Sequence, residues 1–361
     1  MARDVQMRNG RRRPDDRQPI QRTRRRKRRK QRLVFRFVSL LLCLVVLVGA
    51  LCYELFLRDH DIELVYAFER TNPITGIEKV TFDLGRADSV ASKLCVAPLE
   101  DVGLDGLSID AASAGIFSEA DRETVYAKSI FERRYPASLT KVMTCLVALK
   151  YGNLDDVVTV GEECKDIEYG SSVAEIMPGD VLTLRELLLG LMINSGNDAA
   201  MTIAVHVGGS VEGFVELMNQ EAARIGATQT HFTNPHGLQD ENHYTTVYDM
   251  YLMFHEALKY SEFQDLISRH NYYITITNTS GVQRDLVWES TNHYFINEAI
   301  PPKDVEVIGG KTGTTSDAGA CLVLYSKNKY GNPYITIIMN EPDRDSLYME
   351  MNELLGKINE N

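Results

Sequence analysis

Ser138 and Lys141 stand three residues apart, Ser195 and Asn197 two apart, and Lys311-Thr312-Gly313 follows them in the chain. A serine hydroxyl attacks a carbonyl only when a neighbour takes its proton. Residues three apart on a helix share a face. A lysine there, kept neutral by desolvation or by a second cation, can be that neighbour. The Ser195/Asn197 pair can extend the proton path. Lys311, on a strand rich in glycine, can hold an anionic end of a substrate. Together these residues describe acyl transfer through a serine, with no histidine and no metal. A helix that starts at Ser138 adds free backbone N–H groups and the positive end of a dipole, both suited to a developing oxyanion.

Each motif alone carries little. At ordinary residue usage Ser-x-x-Lys arises about once by chance in a chain this long. A second copy is present at Ser326/Lys329, where a hairpin turn is expected and no helix aligns the side chains. Ser-x-Asn recurs at Ser290/Asn292 and at Ser326/Asn328. Lys-Thr-Gly is rarer, expected below about 0.1 times. Gly309-Gly310 precede it, and their missing side chains are expected to let a substrate lie against the strand.

The elements that must position these residues are legible from periodicity. Pro136-Ala137 puts Ser138 at the start of a helix over 138–151, ended by Gly152. A strongly apolar helix over 182–192 carries Thr183 near its start, breaks over 194–198 and resumes over 199–207. Residues 211–225 are amphipathic, and 247–258 and 345–358 read as further helices. Strands are expected over 111–117 and 124–127 around a turn at 119–122, over 272–277, and over 305–308 leading into Gly309-Gly310-Lys311. A hairpin joins 320–325 to 334–339. The expected fold class is α+β: an antiparallel sheet built from both ends of the domain, flanked by helices, with a helical cluster inserted between them.

The chain has 361 residues and a net charge of −11 that is unevenly spread. Residues 1–36 hold 16 of the 39 basic residues and 3 of the 50 acidic ones, which leaves 23 basic and 47 acidic residues beyond. The join is an uncharged apolar run over 37–53, extended past Glu54 by Leu55-Phe56-Leu57. Its length is at the short end for a membrane span. The basic cluster over 24–30 directly precedes it, so the positive-inside rule keeps the N-terminus cytoplasmic and exports the rest. The expected division is a basic arm over 1–36, a signal-anchor over 37–57, a stalk over 58–88, a catalytic domain over 89–341 and a C-terminal helix over 342–361. The rival is a secreted chain cleaved near Ala50. The basic arm reads as a topology determinant touching anionic lipid; nucleic acid is not an expected partner. Cys145 and Cys321 sit in apolar stretches and read as buried small hydrophobes. A Cys95–Cys164 disulfide stays open.

Over about 107–339 the sequence resembles the penicillin-interacting serine peptidases, in particular the D-alanyl-D-alanine carboxypeptidases. The similar stretches are Tyr135-Pro136-Ala137-Ser138-Leu139-Thr140-Lys141, Asn194-Ser195-Gly196-Asn197-Asp198, Asn234-Pro235-His236-Gly237-Leu238 and Gly309-Gly310-Lys311-Thr312-Gly313-Thr314-Thr315, with Ala318 to Val323 beyond. The resemblance implies a β-lactamase/penicillin-binding transpeptidase-like fold and no cofactor. It implies that Ser138 attacks the penultimate D-Ala carbonyl of a peptidoglycan stem peptide, with Lys141 as base. Ser195 and Asn197 would relay the proton and position substrate. Lys311 would supply positive potential and Thr312 would help bind the terminal carboxylate, beside Gly313. The backbone N–H groups of Ser138 and Thr314 would form the oxyanion hole. β-Lactams would trap Ser138. The chain departs from the family in stopping about twenty residues after the last sheet strand, so the N-terminal span would replace a C-terminal anchor.

Two other readings carry less. A class A β-lactamase resembles Ser-Asp-Asn at the second motif and needs a glutamate for its deacylating water, whereas Ser195-Gly196-Asn197 stands here. A penicillin-binding sensor with poor turnover would carry the same motifs. His231, His236 and His243 with Asp240 and Glu241 are spaced irregularly for a metal, and His255-Glu256 lacks the second histidine of a zinc-peptidase helix. No metal is expected.

Overall fold

Alternating apolar residues at both ends of the domain and continuous apolar helices between them produce the observed order. In the computed structural model, β1 (Ser113–Ser118) and β2 (Glu123–Lys128) come first. Helix α1 (Thr140–Tyr151), strands β3 (Val157–Thr159) and β4 (Asp180–Thr183), and helices α2 (Leu184–Met192), α3 (Asn197–Gly208), α4 (Val211–Ile225), α5 (Val247–Ala257) and α6 (Ser261–Ile267) follow. The chain then forms β5 (Asn271–Asn278), β6 (Gln283–Glu289), β7 (Glu306–Thr315), β8 (Gly319–Lys327), β9 (Pro333–Glu341) and α7 (Arg344–Lys357). The structure describes residues 93–98 and 100–360. The expected basic arm, signal-anchor and stalk, and the alternative cleavage point near Ala50, lie outside the described residues. Among the described residues no helix is long and apolar enough to cross a membrane.

The expected α+β architecture is present. Five strands form one antiparallel sheet in the order β2-β1-β9-β8-β7, so the two ends of the domain pair directly through β1 and β9. Period-two alternation sends β8 and β9 to two cores at once. Cys321, Val323, Ile335 and Ile337 pack with the helical cluster. Leu322, Leu324 and Ile338 pack with Leu347, Met351 and Leu354 of α7. The C-terminal helix is therefore the second layer of the sheet. β7 closes one edge, and it carries Lys311, Thr312 and Gly313.

Helix α1 is buried from Thr140 to Ala148, the central rod of the cluster. Gly152 ends it by donating to the Ala148 carbonyl at 2.9 Å, and a Cβ there would sit 2.5 Å from Leu184. Thr183 and Glu186 form a reciprocal capping box at the start of α2. A second antiparallel sheet, β3-β4-β5-β6, flanks this cluster and was not legible beyond β5. The four described cysteines are free and buried, Cys95 and Cys164 included, so no disulfide joins them.

Candidate active site

Ser138 sits in a 3-10 turn (Ala137–Leu139), and the α-helix proper begins two residues later at Thr140. The residue before the serine, Ala137, has φ 48°, and Ser195 has φ 58°. Both are left-handed values that cost a non-glycine residue of order 1–3 kcal/mol and persist only where packing dictates them. At Ala137 the packing is visible. Thr140 Oγ1 donates to the Ala137 carbonyl at 2.8 Å and stands 2.8 Å from His243 Nε2. His243 is thus the N–H donor through Nε2, and its Nδ1 accepts from the Thr233 amide at 3.1 Å. Burial holds His243 neutral, its pKa lowered to about 4.

Lys141 is fully buried. Its Nζ lies 2.9 Å from Ser138 Oγ, 2.7 Å from Asn197 Oδ1 and 2.9 Å from the His236 carbonyl oxygen. Burial pushes its pKa well below the ordinary lysine value, and the nearby Lys311 charge pushes it further the same way; Asp198 opposes them. A neutral lysine amine has two N–H donors and one lone pair. Two oxygens that can only accept, on Asn197 and His236, take both donors. The lone pair is left facing the one partner that can donate, the Ser138 hydroxyl.

Lys311 is the second buried lysine. Its Nζ donates to Ser195 Oγ at 3.0 Å and to the Thr312 carbonyl at 3.0 Å. Burial lowers its pKa to about 7. The second motif is thereby split: Asn197 joins Lys141 and Ser195 joins Lys311. The two half-sites meet at Gly313, where a Cβ would lie 2.9 Å from the Ser138 amide nitrogen and 3.1 Å from the Ala137 Cβ. Only glycine lets β7 lie this close to the serine turn. Thr314 follows as an exposed residue of the same strand.

The expected role of Gly309 and Gly310 is corrected. A Cβ on Gly309 would lie 2.3 Å from the Ile267 carbonyl oxygen, and one on Gly310 2.1 Å from that of Val323. These glycines admit α6 and β8 rather than a substrate. The second Ser-x-x-Lys copy is corrected too: Ser326 lies in β8 and is fully buried, while Lys329 is exposed in the following turn. The loop histidines make separate hydrogen bonds, and among the described residues no group of His, Cys, Asp or Glu could hold a metal ion. His236 Nδ1 accepts from the Leu238 amide at 3.1 Å, and His231 Nδ1 stands 2.6 Å from the Asn242 carbonyl oxygen. His255 Nδ1 stands 2.7 Å from Glu119 on β1's turn.

Three further residues serve the site in ways that their types and spacing do not announce. His236 serves the site through its carbonyl, with Gly237 (φ +92°) allowing its loop to press on the Ala137 carbonyl. Asp198, buried, accepts from the amides of Ala174 at 2.7 Å and Ile176 at 3.0 Å, tying that loop to the start of α3. Thr291 Oγ1 lies 2.5 Å from Thr312 Oγ1.

The sheet with its helical cluster, and the two buried lysines around one serine turn, define the architecture of the penicillin-binding D,D-peptidases. Residues 101–343 match the family described as D-alanyl-D-alanine carboxypeptidase, and the chain belongs to that family. It is 35% identical over 229 residues to the D-alanyl-D-alanine carboxypeptidase DacF of Bacillus subtilis, covering 61% of this chain and 55% of that one. It is 33% identical over 232 residues to DacA of Haemophilus influenzae, covering 62% and 55%. The chain spans about half the length of these curated relatives. A crystal structure of the Streptomyces K15 DD-transpeptidase superposes with a TM-score of 0.65 at 27% identity, covering 70% of this chain and 98% of that one.

Proposed function

We propose that the chain is a serine D,D-carboxypeptidase that removes the terminal D-Ala from peptidoglycan stem pentapeptides. The observation that carries this reading is the Lys141 amine, buried, with both N–H donors committed to acceptors and the Ser138 hydroxyl 2.9 Å away. Ser138 Oγ attacks the carbonyl of the penultimate D-Ala while its proton passes to Lys141 Nζ. The C–N bond then breaks, the departing D-Ala amine takes that proton, and an acyl-ester remains on Ser138. Water adds to the ester, releases the shortened peptide and restores the hydroxyl. Asn197 holds the Lys141 amine in line. Lys311 and Thr312 receive the terminal carboxylate beside Gly313, and Ser195 connects Lys311 to the reacting centre. The amides of Ser138 and Thr314 supply oxyanion donors.

Export and anchoring by residues 37–57, after the basic arm, place this chemistry at the outer face of a membrane in our reading. The support is the charge distribution of the sequence.

The test is incubation of the purified full chain with a pentapeptide ending in D-Ala-D-Ala. Release of free D-Ala, with a Ser138 ester trapped by a penicillin and located by mass spectrometry, is expected. A stable Ser138 adduct with no D-Ala release would sink the hydrolase reading. The likeness to a DD-transpeptidase structure supports a second outcome, transfer of the acyl group to an amine. Adding a glycyl-peptide acceptor separates the two.

A further inference from the structure

Thr291 stands 21 residues before Thr312 in the chain, in a Ser-x-Asn stretch that sequence alone leaves as a chance match. Its hydroxyl oxygen is 2.5 Å from that of Thr312. A hydroxyl carries a single proton. If Thr312 donates that proton to a substrate carboxylate, it can only accept from Thr291, so Thr291 must be the donor of the pair. A hydroxyl that accepts one bond donates a stronger second one.

Thr291 is held from both sides. Ser290 N donates to the His270 carbonyl at 2.8 Å. Beyond it, the segment 290–305 is strapped to α7. His293 N donates to Tyr348 Oη at 2.9 Å, and the two rings stack at 4.4 Å and 5°. Tyr294 Oη donates to Asn352 Oδ1 at 2.8 Å, and Asn352 Nδ2 donates to the Ile300 carbonyl at 3.0 Å. Packing of α7 on the sheet thus fixes where the Thr291 hydroxyl stands.

We propose that Thr291 is a positioning residue for carboxylate recognition, orienting the Thr312 hydroxyl, and that α7 holds it there through Tyr348 and Asn352. This rests on the reading of Lys311 and Thr312 as the carboxylate holders. Thr291 touches no reacting atom, and its effect is confined to ligands that carry the carboxylate.

The test uses the full chain and two D-alanyl thioesters, one whose thiol half ends in a carboxylate and one in which that end is a carboxamide. Acylation rate constants are measured for wild type, Thr291→Val, Thr291→Ser, Thr312→Val, the Thr291→Val/Thr312→Val double variant and Tyr348→Phe. Thr291→Val is expected to lose about tenfold on the carboxylate probe and less than about twofold on the carboxamide. Thr291→Ser restores the rate, Thr291→Val adds nothing once Thr312 is Val, and Tyr348→Phe shows a smaller loss of the same selectivity. Equal loss on both probes, additive loss in the double variant, or no rescue by serine would overturn the proposal. If Thr312→Val itself fails to separate the two probes, the carboxylate reading falls first and takes the proposal with it.

Discussion

Two stretches of this chain read Ser-x-x-Lys, and they are chemically unlike. Lys141 is buried, its Nζ 2.9 Å from Ser138 Oγ. Lys329 is exposed in the β8–β9 turn, with its Nζ 4.9 Å from the centroid of Tyr330, while Ser326 is buried with no hydrogen-bond partner for its hydroxyl. The spacing is the same and the reactivity cannot be. What differs is that one lysine has lost its water and gained two committed acceptors. Desolvation disfavours the ammonium, and the acceptors aim the lone pair that remains. A serine-lysine pair becomes a nucleophile and base only where a fold supplies both.

Substitution of each lysine tests the contrast directly. The largest effect expected is from Lys141→Met, which keeps volume and removes the amine. Penicillin acylation should fall by about 10²–10⁴-fold, the usual span for loss of a general base. Lys329→Met should leave the rate unchanged. Stopped-flow fluorescence reads both, and a comparable loss from Lys329→Met would destroy the contrast.

The second effect is on pH dependence, and it compares the two buried lysines. In the proposed mechanism Lys141 acts once it has lost its proton, so acylation should rise with pH over an acid limb. In the proposed role Lys311 binds carboxylate while charged, and burial lowers its pKa to about 7, so an alkaline limb should follow, shifted upward when an anionic ligand is bound. Because the two charges lie near each other, the limbs belong to the pair. Lys311→Met should abolish the alkaline limb and cost about 10²-fold in rate. A profile flat across this range in the wild type would contradict both assignments.

The smallest effect concerns a buried group with no catalytic task. Glu341 ends β9 buried, its Oε2 has no partner, and Glu350 lies beside it. Burial first, then a carboxyl–carboxyl hydrogen bond with Glu350 and repulsion from its charge, raise its pKa above the ordinary 4.5. The folded state therefore binds the proton more tightly than the unfolded one. Stability from this group is present below 4.5 and is lost as pH rises toward neutrality. Glu341→Gln should raise the melting temperature by about 2–4 °C at alkaline pH and leave acylation unchanged, as scanning calorimetry and the penicillin assay would show. Ser326→Ala, which removes another buried unpaired oxygen, should likewise not destabilise. A drop in melting temperature at alkaline pH for Glu341→Gln would contradict the burial account.

The sheet ends and the long helices were legible because their apolar residues keep a period of two or 3.6. Strands β3 and β4 are too short to show a period. In β6, Arg284, Asp285 and Glu289 break up the apolar signal, so the second sheet was not visible. Ser138 and Lys141 could be read because one helical turn joins them. The split of Ser195 and Asn197 between two lysines could not, since it depends on the left-handed turn at Ser195. His236 contributes a backbone oxygen, which no residue type announces. Thr291 stands in a Ser-x-Asn stretch of a kind that recurs in the chain, and its contact with Thr312 joins the loop after β6 to β7, a pairing that no local pattern shows.

Lys141 Nζ faces the hydroxyl of Ser138, 2.9 Å away, and Ser138 is the proposed nucleophile. The direct measurement is labelling of the full chain with a fluorescent penicillin, beside Ser138→Ala and Ser326→Ala. Labelling should vanish in the first variant and persist undiminished in the second. Labelling that survives Ser138→Ala would contradict the assignment at its root.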